Sequence, residues 1–122
     1  MAADPTPSQV VERLAADRPD QPILMLNLLK FNPGGAALFA EYGRRTAPML
    51  EAAGGRIALA ARPTNALVGD ADWDLVLVVS YRARRSLVAF LSSDDYKAVE
   101  DLRTRALARS ELIAMEPTDD WR

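Results

Sequence analysis

"PILMLNLLKF" (residues 22–31) decides how this chain is read. It is apolar almost throughout, lies between the breakers "RPDQP" and "NPGG", and is far too short to span a bilayer. It therefore reads as a buried strand. Strand alternation puts Ile23, Met25, Asn27, Leu29 and Phe31 on one face and Leu24, Leu26, Leu28 and Lys30 on the other. Asn27 is the exception in this run. A buried amide left without a partner costs about 1–3 kcal/mol. Asn27 must therefore bond either a neighbouring protein group, as a structural contact, or a ligand. On the ligand reading it lies on the open face of a sheet and points into a cavity.

The pattern outside the strand supplies the rest of the fold. "TPSQVVERLAAD" (6–17) reads as a short helix over 7–17, with Thr6 as cap, Pro7 at the first position and Gln9 at capping-box spacing. Residues 36–53 carry apolar groups at helical intervals, and Gly54 stands where a helix ends. Pro48 inside that helix removes one backbone hydrogen bond, so a kink is expected. "GRIALAARPTNALVG" (55–69) reads as an interrupted strand and "WDLVLVVSY" (73–81) as the clearest strand. "SLVAFL" and "DDYKAVEDLRTRALA" read as two helices, the second capped by Ser93 and carrying Tyr96, Val99, Arg103 (by its stem) and Ala106 on one face. "SELIAME" closes as a strand, and a tail carries Trp121.

This order predicts an α+β fold. It is a ferredoxin-like β-α-β-β-α-β unit over about 22–116, with a four-stranded antiparallel sheet, helices on one face and an extra N-terminal helix. The 122 residues make a single domain. The helix-free face of such a sheet would be apolar, and a second copy of the chain is its cheapest cover. A homodimer is therefore the expected partner.

Composition narrows the chemistry. The chain has neither cysteine nor histidine, which removes thiolate chemistry, the commonest general base and the usual metal and haem ligands. No carboxylate cluster or phosphate loop is visible, so no metal and no cofactor are expected. A net charge of −2 gives no reason to expect nucleic acid or membrane as partner. With no signal-like N-terminus, the expected location is cytoplasmic.

Several of these segments together carry a resemblance. "MLNLLKF", Tyr42 with Pro48, "GGR" at 54–56, "WDLVLVVSY", and Tyr96 followed by Arg103 resemble the DUF1330 family over roughly residues 22–115. The resemblance implies membership of the dimeric α/β-barrel superfamily, in which two sheets face each other across a dimer. It implies no established reaction. Family members often read Tyr-Pro-Ser after the third strand, whereas this chain reads Tyr81-Arg82-Ala83 and lacks the hydroxyl that would cap the next helix.

Few polar residues are placed to mark a site. Asn27 is the first candidate ligand contact. Arg56 could clamp a carboxylate or phosphate, or instead pair with Glu116 or Asp74. Trp73 could wall a pocket or cover the barrel end, and Tyr42 offers a ring with a polar tip. Tyr81 and Asp74 are the candidate proton donors and acceptors, each with a structural alternative. The arginines at 82, 84, 85, 103, 105 and 109 read as solvated faces. Three functions are consistent with these residues: a binder of a small, partly hydrophobic molecule between the sheets of a homodimer, a cofactor-independent isomerase or monooxygenase, and a structural module with a filled barrel.

Overall fold

The computed structural model describes residues 5–14 and 17–120. A short helix α1 (Pro7–Val10) runs into a single 3₁₀ turn (Val11–Leu14). Then follow β1 (Ile23–Phe31), α2 (Gly35–Ala52), β2 (Arg56–Ala61), β3 (Leu75–Tyr81), α3 (Arg84–Ser92), α4 (Asp94–Ala106) and β4 (Leu107–Met115). The expected N-terminal helix over 7–17 is thus α-helical for only four residues. Residues 15 and 16, at its expected end, and Trp121 lie outside the described residues. Gln9 Oε1 does accept the Thr6 N–H at 2.9 Å, as the capping-box spacing requires.

The four strands form one antiparallel sheet in the order β2-β3-β1-β4. This is the split β-α-β-β-α-β arrangement expected from the element order. Right-handed crossovers put α2 on the same side as α3 and α4. The helix-facing side of β1 is the odd-numbered one: Ile23, Met25 and Leu29 are all buried. In-register partners share a face, so Val79, Leu77 and Leu75 of β3 and Leu112 of β4 join them. Leu24, Leu26 and Leu28, with Val76, Val78 and Ile113, occupy the helix-free face.

Local chemistry explains the element ends. Ser93 Oγ accepts the Tyr96 N–H at 3.2 Å and starts α4. Ala83 precedes α3 with no side-chain cap, in line with the missing hydroxyl there. Pro48 lies within an uninterrupted α2. Gly35 opens α2 against the end of α4, where a Cβ would sit 2.1 Å from the Ala106 carbonyl oxygen; only glycine permits this approach. The last strand begins at Leu107, three residues before "SELIAME", because it pairs with β1 as far as Phe31.

Candidate functional site

The side chains that face the helices from the sheet do not meet the helices everywhere. A cavity of about 300 Å³ lies between the sheet and the helices of one chain. Its floor is Met25, Asn27, Leu77, Val79, Tyr81 and Leu112, and its roof includes Phe39, Tyr42, Thr46, Phe90, Tyr96 and Arg103. A neighbouring hollow of about 380 Å³ lies under α1. Pro7, Met25, Leu87, Leu91, Arg103 and Leu112 border both, so the two hollows are adjacent.

This arrangement corrects the expected position of Asn27. Asn27 is on the helix side of the sheet, not on the open face, because it shares parity with the buried Ile23, Met25 and Leu29. Its amide is half-buried, and Nδ2 donates to the Met25 carbonyl oxygen at 3.3 Å, near the limit of a hydrogen bond. Among the described residues no donor meets its Oδ1. The cavity that it borders is therefore intramolecular rather than enclosed between two sheets.

Tyr42, from α2, meets Tyr96, from α4, with the two hydroxyls 3.0 Å apart and the rings edge-to-face. Helical spacing sets both: Tyr42 stacks on Phe39 one turn earlier, and Tyr96 shares the buried side of α4 with Val99, Arg103 and Ala106. Thr46, which also lines the cavity, turns its Oγ1 back to the Tyr42 carbonyl oxygen at 2.9 Å. Tyr81 ends β3 with its ring against Phe90. Gly55 makes this possible, since a Cβ there would lie 2.9 Å from Tyr81 Cε1 and 2.4 Å from Leu50 Cδ1. Among the described residues the Tyr81 hydroxyl has no hydrogen-bond partner.

Burial is the main reason that all three hydroxyls titrate above the ordinary tyrosine value of 10.0. Tyr42 also raises Tyr81, and Tyr96 is raised further by the charge and hydrogen bond of Tyr42. At neutral pH they are neutral hydrogen-bond donors and not bases. Among the described residues no Asp or Glu borders either hollow.

The other sequence candidates lie elsewhere. Asp74 is a structural residue: its Oδ2 accepts the Phe31 N–H at 2.8 Å and its N–H donates to the Leu29 carbonyl oxygen at 2.8 Å. Those bonds satisfy the backbone where the β1–β4 register slips between Lys30 and Phe31. Trp73 precedes β3 and is stacked by the Arg109 guanidinium, 4.4 Å from the ring centre, so it walls neither hollow. Arg56 is exposed on the edge strand. Neither expected acid pairs with it, because Glu116 bonds Arg18 and Arg84 while Asp74 sits beside Lys30.

Two arginines read as solvated are buried. Arg84 is 7% exposed and bonds Asp17 Oδ2 at 3.1 Å, tying α3 to the loop before β1. Arg103 is also 7% exposed. Its place on the same helical stripe as Tyr96, Val99 and Ala106, which the sequence already shows, accounts for that burial. Tyr96 was visible as an aromatic on that stripe, but its pairing with Tyr42 spans 54 residues and has no local signature.

No helix among the described residues is long and apolar enough to cross a membrane. Similarity to known proteins locates this architecture. The RPA0582 protein of unknown function from Rhodopseudomonas palustris is 29% identical over 95% of this chain and 96% of its own, with a TM-score of 0.83. The structure of its methylated form gives 28% identity over 99% and 98%, with a TM-score of 0.86. A dabb family protein with a ferredoxin-like fold from Mesorhizobium loti is 12% identical over 80% of this chain and 97% of its own, with a TM-score of 0.59, a likeness of fold alone. No curated protein matches. Residues 29–117 match the family model of a domain of unknown function, DUF1330, and with most of its length and all four strands inside or overlapping that match the chain belongs to the DUF1330 family.

Proposed function

We propose that the protein binds a small, largely apolar molecule in the cavity between its sheet and its helices. The carrying observation is a hollow of about 300 Å³ walled mainly by aliphatic and aromatic side chains, with a few polar tips. That combination is characteristic of small-molecule sites. The Tyr81 hydroxyl and the Asn27 Oδ1 are polar groups on the wall without protein partners among the described residues, and they would orient an occupant. An enzyme using Asp74 as a base is disfavoured, because that carboxylate is engaged in backbone bonds outside the cavity. Tyr81, held neutral, can donate to a carbonyl but cannot abstract a proton at neutral pH.

Calorimetric titration with octan-1-ol tests the binding reading. Saturable one-to-one binding is expected, weakened at least tenfold by Leu77→Trp, which fills the floor of the cavity. Absence of binding to the wild type would overturn it.

A second copy is the proposed partner. Leu24, Leu26, Leu28, Val76 and Val78 are only half-buried, and Leu59 (48% exposed) and Ile113 (42%) extend the same apolar surface. Such a continuous apolar face is unusual on a monomer. Sedimentation at micromolar concentration should give a dimer; a monomer would remove the shared-sheet assembly.

A further inference from the structure

Arg103 is a buried cation with no ion-pair partner among the described residues. It is 7% exposed, and its Nη2 is sealed from solvent with no hydrogen-bond acceptor. Among the described residues no carboxylate lies within ion-pair distance of it. Glu100, one turn earlier on α4, is already occupied: its two oxygens accept Ser8 N–H at 2.9 Å and Ser8 O–H at 2.5 Å. Buried guanidinium groups are normally paired, because an unmatched charge in a poorly polarisable surrounding is costly. The unpaired group also stands where the two hollows meet and borders both.

Its neighbours suit an anion. Tyr42, Tyr96 and Arg103 all line the same cavity, and the Arg103 charge acts on both hydroxyls. The 3.0 Å bond between those hydroxyls uses one of their two protons and leaves the other to be donated. A planar guanidinium with an adjacent hydroxyl donor matches a carboxylate in shape and charge. The rest of the wall, including Met25, Leu77, Val79, Phe90 and Leu112, suits a hydrocarbon body. A phosphate dianion would bring a second charge that nothing buried there neutralises. Arg13 also borders the hollow under α1, but it is exposed.

We propose that Arg103 is the anion-binding residue of this cavity and that the ligand is a monocarboxylic acid with an apolar body. The Arg103 guanidinium and the spare proton of the Tyr42–Tyr96 pair hold the carboxylate, and the apolar chain or ring lies along the sheet. This inference rests on the cavity reading above and names the chemistry of its occupant.

The test compares octanoate with octan-1-ol by calorimetry at pH 8, where the acid is ionised. The wild type should prefer octanoate by at least about tenfold, the effect of a charged hydrogen bond. Arg103→Met should abolish or invert that preference. Arg103→Lys, which keeps the charge but not the bidentate shape, should retain a reduced preference. Equal or tighter binding of the alcohol by the wild type, a comparison that needs no variant, overturns the assignment and leaves the cavity reading intact. A preference unchanged in Arg103→Met or in Arg103→Lys overturns it equally. If neither probe binds the wild type, the cavity reading falls and this assignment with it.

Discussion

The contact between Tyr42 and Tyr96 allows a sharp test of how the cavity roof is built. Replacing either tyrosine by phenylalanine keeps the ring and removes one hydroxyl of a 3.0 Å bond. The two deletions are not equivalent. Tyr96 is 0% exposed, so Tyr42→Phe strands a hydroxyl that water cannot reach, which costs about 1–3 kcal/mol. Both tyrosines border the cavity, but Tyr42 alone is partly exposed, so Tyr96→Phe leaves a hydroxyl that water can satisfy. That change should cost the net worth of the bond, about 1 kcal/mol. The ring contacts of Tyr96 with Tyr42 and Phe90 survive in each variant. The double variant stranded at neither end should lose less than the two singles together, by about 1–2 kcal/mol. Urea unfolding followed by circular dichroism measures all four corners of the cycle, with unchanged m-values as the check on two-state behaviour. Additivity within about 0.5 kcal/mol would show that the hydroxyls do not interact, and the description of the roof would be wrong.

Three further outcomes follow from the same structure. Because the folded state holds Tyr42, Tyr81 and Tyr96 above the value of 10.0 at which they ionise when unfolded, their stabilising effect is complete below pH 10 and is lost as pH rises above it. Each such tyrosine contributes at most about 1.4 kcal/mol per pH unit, and Tyr81→Phe should lower the slope by up to that amount, as read from urea midpoints between pH 9 and 11; an unchanged slope would contradict burial of that hydroxyl. Gly55→Ala should destabilise by about 1–3 kcal/mol through contact with Leu50 and Tyr81, whereas Gly43→Ala, with open space around it in α2, should stabilise by about 0.5–1 kcal/mol; thermal shifts of the same sign would refute this. Asn27→Leu should change stability by less than about 1 kcal/mol, since its one bond is 3.3 Å long, and a loss above about 2 kcal/mol would give the amide a structural role.

The order of strands and helices was legible in the sequence because it rests on local periodicity. The alternation of residues 22–31, the helical spacing before Gly54 and the Ser93 cap each depend on residues a few positions apart. The resemblance to DUF1330 came from the same local segments. The cavity was not legible. Both sides of β1 are rich in large aliphatic residues, so alternation alone could not say which side the helices would cover. Asn27 stands out in the sequence as unusual, but the ligand reading places it on the open face, whereas it lies on the helix side. Asp74 and Trp73 drew notice by residue type, yet their roles depend on a register slip in β1 and a guanidinium from β4.

By itself, the sequence determined the kinds of element, their order and the absence of histidine and cysteine chemistry, since each is a property of composition or of near neighbours along the chain. Only the tertiary structure decided what faces what. It turned Asn27 toward the helices, joined Tyr42 to Tyr96 across 54 residues, and enclosed Arg103 without an ion-pair partner among the described residues. Crossovers and helix packing bring together groups far apart in the chain, and no local pattern records which of them will meet.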